Sequence, residues 1–174
     1  MLLLEKVLAA GATLAQRGTA SQWSRIAYDS RLTQPHDLFV ALKSLRADGH
    51  QFINDAIAAG ATAILCVQPP HHVPEHVTVL TCADVLHTLS RWASQYLHDC
   101  GSTVVAVTGS VGKTSTKRAI ATLLGDEHHV FRSSRSFNSE LGLSVALAGL
   151  EPEHEWAVLE FGADRHGDIQ RLAH

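Results

Sequence analysis

The chain of 174 residues lacks any apolar run of 18 residues, and its N-terminal run, Leu2 to Leu4, is broken at once by Glu5 and Lys6. Neither a signal peptide nor a transmembrane helix is expected, because crossing a bilayer takes roughly 20 apolar residues. An excess of positive charge is also missing: 14 Lys+Arg stand against 17 Asp+Glu, a formal charge of −3. A dedicated nucleic-acid binder carries a basic face, so no nucleic-acid partner is expected. Cysteine is scarce, with only Cys66, Cys82 and Cys100, widely spaced and without a Cys-x-x-Cys pair. That composition argues against a disulfide framework or a zinc ribbon and predicts reduced, buried thiols in a cytoplasm. Histidine is plentiful at 12 residues, yet no His-Glu-x-x-His occurs, so these side chains read as solvated or satisfied rather than as metal ligands. No internal repeat or low-complexity stretch appears.

What is there is a chain 45% hydrophobic and 18% charged, enough to bury a real core. From Met1 to about Leu80 the pattern predicts a small mixed α/β unit. A short helix uses Leu2, Leu3, Val7 and Leu8 and ends near Gly11. The run Asp37 to Leu42 reads as a buried strand, Phe52 to Ala59 as a helix stopped by Gly60, and Ala61 to Val67 as an apolar strand. Pro69, Pro70 and Pro74 mark a loop before a last short strand, Val77 to Leu80. Ala83 to Leu97 then spaces Val85, Leu86, Leu89, Trp92, Ala93 and Tyr96 as one amphipathic connecting helix, its aromatics packing in the core.

From Thr103 onward strands and helices alternate. Thr103 to Thr108 is β-branched and uncharged, as a strand buried on both faces requires. A glycine-rich turn, a helix Lys113 to Leu124, a strand His129 to Arg132, a helix Ser139 to Leu150 and a strand Trp156 to Phe161 follow. Such an order implies parallel strands joined by right-handed crossovers. The expected fold class is therefore α/β, a small mixed α/β N-terminal domain (1–82), a connecting helix (83–101) and the incomplete start of a P-loop parallel-sheet ATPase domain (102–174). The last residues look like the beginning of a further helix, and the whole reads as the front part of something longer.

The strongest chemical signal is Thr108-Gly109-Ser110-Val111-Gly112-Lys113-Thr114, followed by Ser115, lying between an apolar strand and a helix. Gly109 and Gly112 allow positive φ and let backbone N–H groups approach phosphate oxygens. The helix N-terminus adds its partial positive charge. Lys113 supplies a mobile cation for the β- and γ-phosphates, and the Thr114 hydroxyl suits Mg²⁺. The outer glycine of the general phosphate-loop pattern is replaced by Val107. ATP or GTP binding is expected. Glu160 ends an apolar strand at the carboxyl edge of the sheet, where open α/β sheets place ligands. A carboxylate there can hold Mg²⁺; the alternative is a strand-end acid facing solvent.

These residues resemble the Mur ligase family over almost the whole chain. Asp29-Ser30-Arg31, Pro35 to Leu42, Asp48-Gly49-His50 and Phe52 through Ala61 are similar to that family's uridine-binding module. Thr108 to Ser115 is similar to its phosphate loop, which also lacks the outer glycine, and Glu160 to Ala163 with Gly167-Asp168-Ile169 resembles its acidic strand end. The segment Arg135 to Gly142 keeps Asn138, Glu140 and Gly142, while Arg135 and Ser139 replace a glycine and an asparagine, and Ser144 stands where a proline is usual. The branch that adds D-alanyl-D-alanine to UDP-N-acetylmuramoyl-tripeptide is the nearest in pattern. Other branches of the family, or a non-catalytic module binding a UDP-sugar or nucleotide, are the alternatives.

The resemblance implies an ATP-dependent amide ligase of cytoplasmic peptidoglycan synthesis working through an acyl phosphate, with ATP and Mg²⁺ as cofactors. Lys113 and Glu160 would be catalytic, Thr114 and Glu160 metal ligands, and Thr108 to Ser115 the nucleotide loop. Ser30, Arg31, Ser44, Arg46 and Asn138 would touch the UDP-linked substrate, and a bidentate Arg fork suits a diphosphate. Asn138 could equally be a helix N-cap. The family's carbamylated lysine and its amine-receiving domain would lie beyond His174, so this stretch alone is not expected to ligate. The full-length enzyme is expected to be a monomer.

Overall fold

The computed structural model describes residues 2–44, 47–134, 137–163 and 165–173, which fall into two units, Met1–Trp92 and Ala93–His174. The first unit begins with a two-residue strand β1 (Leu2–Leu3) running straight into a helix α1 (Leu4–Ala9), so the predicted helix starts later than the apolar pattern suggests. Strands β2 (Thr13–Gln16), β3 (Gln22–Trp23) and β4 (Ile26–Ala27) follow. None of the three is visible in the sequence pattern, since two span only two residues and β2 is largely exposed, leaving no alternation to read. Strand β5 (Leu38–Val40), helix α2 (Ile53–Ala58) and strand β6 (Ala63–Cys66) match the expected elements with shorter ends, and strand β7 (Thr78–Thr81) lies one residue later than expected.

The main sheet of this unit has the order β2-β7-β6-β5-β4, parallel except for β2 against β7, while β1 pairs antiparallel with β3. Strands β5 and β6 occupy its middle and every residue in them is buried, which is why they read as unbroken apolar runs. One core cluster joins Ala27, Phe39, Ile53, Ala56, Ile64, Cys66 and Val79. Buried polar side chains here are satisfied mostly by backbone. Thr78 Oγ1 donates to the Ala20 carbonyl (3.0 Å) and accepts from Gly18 N–H (3.2 Å). Asp37 accepts from Gln34 N–H at 2.8 Å and pairs with Arg25 at 3.4 Å. Each of these polar residues fixes a loop to the sheet, because a buried polar group without a partner costs stability.

Helix α3 (Val85–Cys100) carries Val85, Leu89 and Trp92 on its buried face, and the division between units falls within it. Cys66 and Cys82 are buried free thiols as expected, but Cys100 is only partly buried, because it lies at the last turn of this helix.

The second unit holds β8 (Thr103–Val107), α4 (Lys113–Leu124), β9 (Val130–Arg132), α5 (Glu140–Leu147), β10 (Trp156–Glu160) and α6 (Asp168–Ala173). Its sheet is entirely parallel with the order β8-β10-β9, so the last strand in sequence lies between the first two. Val107, Ala121 and Val158 form a core with Val105, Ile120, Leu124 and Val130 packed around it. The expectation that β8 is buried on both faces is wrong. Thr103, Val104 and Ala106 are exposed, Val104 by 41%: Val105 and Val107 face the core that α4 covers, while Val104 and Ala106 point to the opposite, uncovered face. Among the described residues no helix is long and apolar enough to cross a membrane.

Candidate active site

The β8–α4 junction has the shape its residues demand. Residues 108–112 form an exposed turn, with Gly109 at φ 146° and Gly112 at φ 81°. A Cβ on Gly112 would meet nothing within 4 Å, so glycine is required there for the left-handed backbone rather than for room. Helix α4 starts at Lys113 with Gly112 as its N-cap, which leaves its first N–H groups open to an anion. The Lys113 ammonium donates to the Gly109 carbonyl at 2.8 Å, folding back over the loop. Ser110, Val111 and Ser115 are exposed, Val111 by 91%, so this apolar side chain has no structural duty in the turn.

Beneath the loop, β10 runs beside β8 with Glu160 opposite Val107, and Phe161 N–H donates to the Val107 carbonyl at 2.9 Å. That register brings the Glu160 carboxylate to the first turn of α4, where Thr114 Oγ1 donates to its Oε2 at 2.9 Å. Lys117, one turn further along α4, reaches the same oxygen at 3.3 Å and also donates to Ser133 Oγ at 3.2 Å. Lys117 and Glu160 are each 2% exposed, so the solvent-facing alternative for Glu160 is excluded. Asn138 Nδ2 lies 3.5 Å from Glu160 Oε1, at the outer edge of hydrogen bonding. Its carbonyl accepts from Gly162 N–H at 2.8 Å, and a Cβ on Gly162 would come within 2.9 Å of Asn138 Cγ. The capping role falls to Ser139 instead of Asn138: Ser139 Oγ accepts from Gly142 N–H at 3.2 Å.

Thr114 and Glu160 therefore present two hard oxygen donors at one point next to the glycine loop, a set that suits Mg²⁺, which binds few protein carboxylates and keeps water and phosphate as its other ligands. Among the described residues no group of three or more His, Cys, Asp or Glu could hold a metal by itself.

Residues 22–97 match the Mur ligase family catalytic domain and residues 107–174 match the Mur ligase middle domain. The chain belongs to the Mur ligase family. It is 37% identical over 148 residues to UDP-N-acetylmuramoyl-tripeptide--D-alanyl-D-alanine ligase of Bacillus subtilis, covering 85% of this chain and 32% of that protein. The ligase of the same name in Escherichia coli K12 is 36% identical, over 81% of this chain and 30% of its own length. The chain thus spans about a third of the length of these curated relatives. Among solved structures, a UDP-N-acetylmuramoylalanyl-D-glutamyl-2,6-diaminopimelate--D-alanyl-D-alanyl ligase from Acinetobacter baumannii superposes with a TM-score of 0.87 at 27% identity, covering 98% of this chain and 38% of that one. A MurF ligase from Thermotoga maritima in complex with ADP gives a TM-score of 0.74 at 35% identity, covering 86% and 34%.

In this Mur ligase chain Ser30, Arg31 and Ser44, three of the residues expected to touch the UDP-linked substrate, sit on two loops of the first unit, while Asn138 lies in the second beside Glu160. Ser30 and Arg31 lie in a single 3-10 turn, Ser30–Leu32, capped by Asp29. Arg31, 86% exposed, donates from Nε and Nη2 to the two oxygens of Asp29 at 2.9 and 2.6 Å. That bidentate contact holds the Asp29 carboxyl below the usual carboxylate range. Ser44 accepts from and donates to Ala47 across its own turn. Arg46 lies outside the described residues, as do Arg135 and Ser136. The Asp48-Gly49-His50 motif has a clear structural task. Asp48 accepts from His50 N–H and from His50 Nδ1, and His50 Nε2 accepts from Val67 and Gln68 N–H at 3.2 and 3.3 Å. The ring therefore carries its proton on Nδ1 and ties the end of β6 to this turn.

Two residues of the second-unit cluster escaped the sequence reading. Lys117 had a signal: with Ala121 and Leu124 it occupies the buried stripe of α4, where a lysine needs a partner. Ser133 had none, because it meets Lys117 only through the packing of β9 beside β10. His72 and His76 stand four apart, a spacing that also escaped the sequence reading, but Pro74 separates them in an irregular stretch rather than on a helix face.

Proposed function

We propose that this chain supplies the uridine-ligand and nucleotide-phosphate sites of a MurF-type ligase, the enzyme that joins D-alanyl-D-alanine to UDP-N-acetylmuramoyl-tripeptide in cytoplasmic peptidoglycan synthesis. The observation that carries this reading is the convergence of Thr114, Lys117 and Glu160 beneath an open glycine loop at the carboxyl edge of β8 and β10. The identity shared with ligases of that name supports the choice of branch. We assign 1–82 to the uridine-ligand domain, 83–101 to a connecting helix and 102–174 to the start of the ATP-binding domain.

In this reading ATP phosphorylates the terminal carboxylate of the tripeptide, and the amine of the dipeptide then attacks the acyl carbon and expels phosphate. The protein acts by position and charge, since phosphoryl transfer needs little covalent help. The loop N–H groups from Gly109 to Thr114 hold the phosphates, and Lys113 swings from the Gly109 carbonyl to the γ-phosphate. Thr114 and Glu160 would hold Mg²⁺, which when bound neutralises charge on the β- and γ-phosphates. Lys117 pairs with the Glu160 carboxylate and aims it, and Asn138 restrains it from the other side. Ser30, Arg31, Ser44 and Arg46 contact the uridine diphosphate end.

Calorimetric titration tests this with two ligands, UDP-N-acetylmuramoyl-tripeptide and ATP with Mg²⁺. Both bind the parent chain. K113A loses the nucleotide and keeps the tripeptide, and R31A does the reverse. Equal loss of both ligands in either variant, or of neither, overturns the two-site reading.

A further inference from the structure

A cavity of about 190 Å³ opens beside the Thr114–Glu160 cluster, lined by Thr114, Lys117, Arg118, Arg132, Ser133 and Ser134. Every lining side chain bears N–H or O–H donors, and none is a carboxylate. Lys117 spends its charge on Glu160, but Arg118 and Arg132, both exposed, have no ion-pair partner among the described residues. The cavity floor is rigid: Lys117 and Ser133 are buried and bonded to each other, and Ser133 N–H donates to the Val158 carbonyl. The space equals roughly six water volumes, below the ~300 Å³ at which whole-ligand pockets begin, so it takes one group of a larger ligand.

We infer that this cavity is an oxyanion subsite, read by the Arg118 and Arg132 forks and the Ser133 and Ser134 hydroxyls. It rests on the ligase reading for its occupant: a carboxylate of the acceptor peptide next to the one that reacts. Thr114 lines both the cavity and the phosphate cluster, so a group held here lies beside the transferring phosphate. A tripeptide containing glutamyl and diaminopimelate residues, as in the name of the Acinetobacter ligase, has carboxylates to spare. Paired guanidinium forks bind such planar anions bidentately. Free inorganic phosphate offers the same oxyanion chemistry.

The test compares the parent with R118Q/R132Q, whose altered side chains are exposed, with ADP and Mg²⁺ saturating the phosphate loop. Titrants are UDP-N-acetylmuramoyl-tripeptide, the same molecule with its non-reacting carboxylates amidated, and inorganic phosphate. The double variant binds the tripeptide at least tenfold more weakly, binds the amidated form as the parent does, and keeps its ADP affinity. If it loses phosphate affinity alone, the peptide-carboxylate assignment is overturned in favour of phosphate. If neither affinity changes, the subsite itself is overturned. If the parent fails to bind the tripeptide at all, the ligase reading falls, and the phosphate titration alone decides the cavity.

Discussion

The two units bury polar side chains for different ends. In the first, Asp37 and Thr78 are consumed chiefly by backbone: they close the loops around Gln34, Gly18 and Ala20, and Asp37 also pairs with Arg25. In the second, Lys117, Ser133 and Glu160 are bonded chiefly to one another and to Thr114, side chain to side chain, against the foot of a glycine loop. Backbone closure is an economical reason to bury a polar group, because the backbone needs the partner anyway. A buried ammonium–carboxylate pair has no such reason, since two apolar residues of similar size often serve stability as well or better. The contrast marks the second unit as the one whose buried charge is not explained by closing its own backbone.

The contrast breaks most visibly at Lys117. K117M leaves Glu160 buried without its cation and costs the second unit about 3–5 kcal/mol in urea unfolding. K117M/E160Q recovers much of that loss, as a neutral pair needs no counter-charge. A single variant as stable as the parent means that the pair contributes nothing to the fold. In the first unit T78V is smaller in effect, about 1–3 kcal/mol, because it orphans the Gly18 N–H and the Ala20 carbonyl. Nucleotide affinity is unchanged in this variant, and a fall in that affinity would blur the separation of roles. S139A removes the N-cap of α5 and costs about 1 kcal/mol by the same assay.

The smallest effect is a dependence on alkaline pH, to which Cys66 and Cys82 contribute in the first unit. Burial pushes the Cys66 thiol from 9.0 up to about 11, and burial raises Cys82 too. A raised folded-state pKa stabilises fully below the unfolded value and is lost as pH climbs through the folded one. Stability therefore declines from about pH 9 towards 11, by under about 1 kcal/mol at pH 9.5 from Cys66. C66A flattens the Cys66 share of this slope in thermal melts. An unchanged slope assigns the alkaline loss to other groups.

What was legible in the sequence was local. The β8–α4 turn, with Gly109, Gly112, Lys113 and Thr114, carries its chemistry in consecutive residues, and Glu160 announces itself as a lone acid closing an apolar strand. The central strands β5 and β6 were legible because both their faces are buried. Exposure of β8 was not, since an uncharged β-branched run looks the same whether one face of its sheet is covered or both. Ser133 and the cavity it lines depend on which strands lie side by side, and strand order is written across distant segments. The capping of α5 turned on one residue's difference, Asn138 against Ser139, which side-chain chemistry does not separate because both residue types cap well.

The position of β10 also dictates when the site can exist during folding. Among the described residues, strands β8 and β9 do not pair with each other, and each finds its strand partner in β10. Pairing Thr103 with Trp156 closes a segment of about fifty residues, a non-local step that slows folding. Until that closure happens the glycine loop has no acid beneath it and Lys117 has no counter-charge. The chain therefore gains this cluster in the same event that joins β8 and β9 through β10, and a nascent chain shorter than Glu160 carries the glycine-loop residues without the acid that Thr114 and Lys117 bond to.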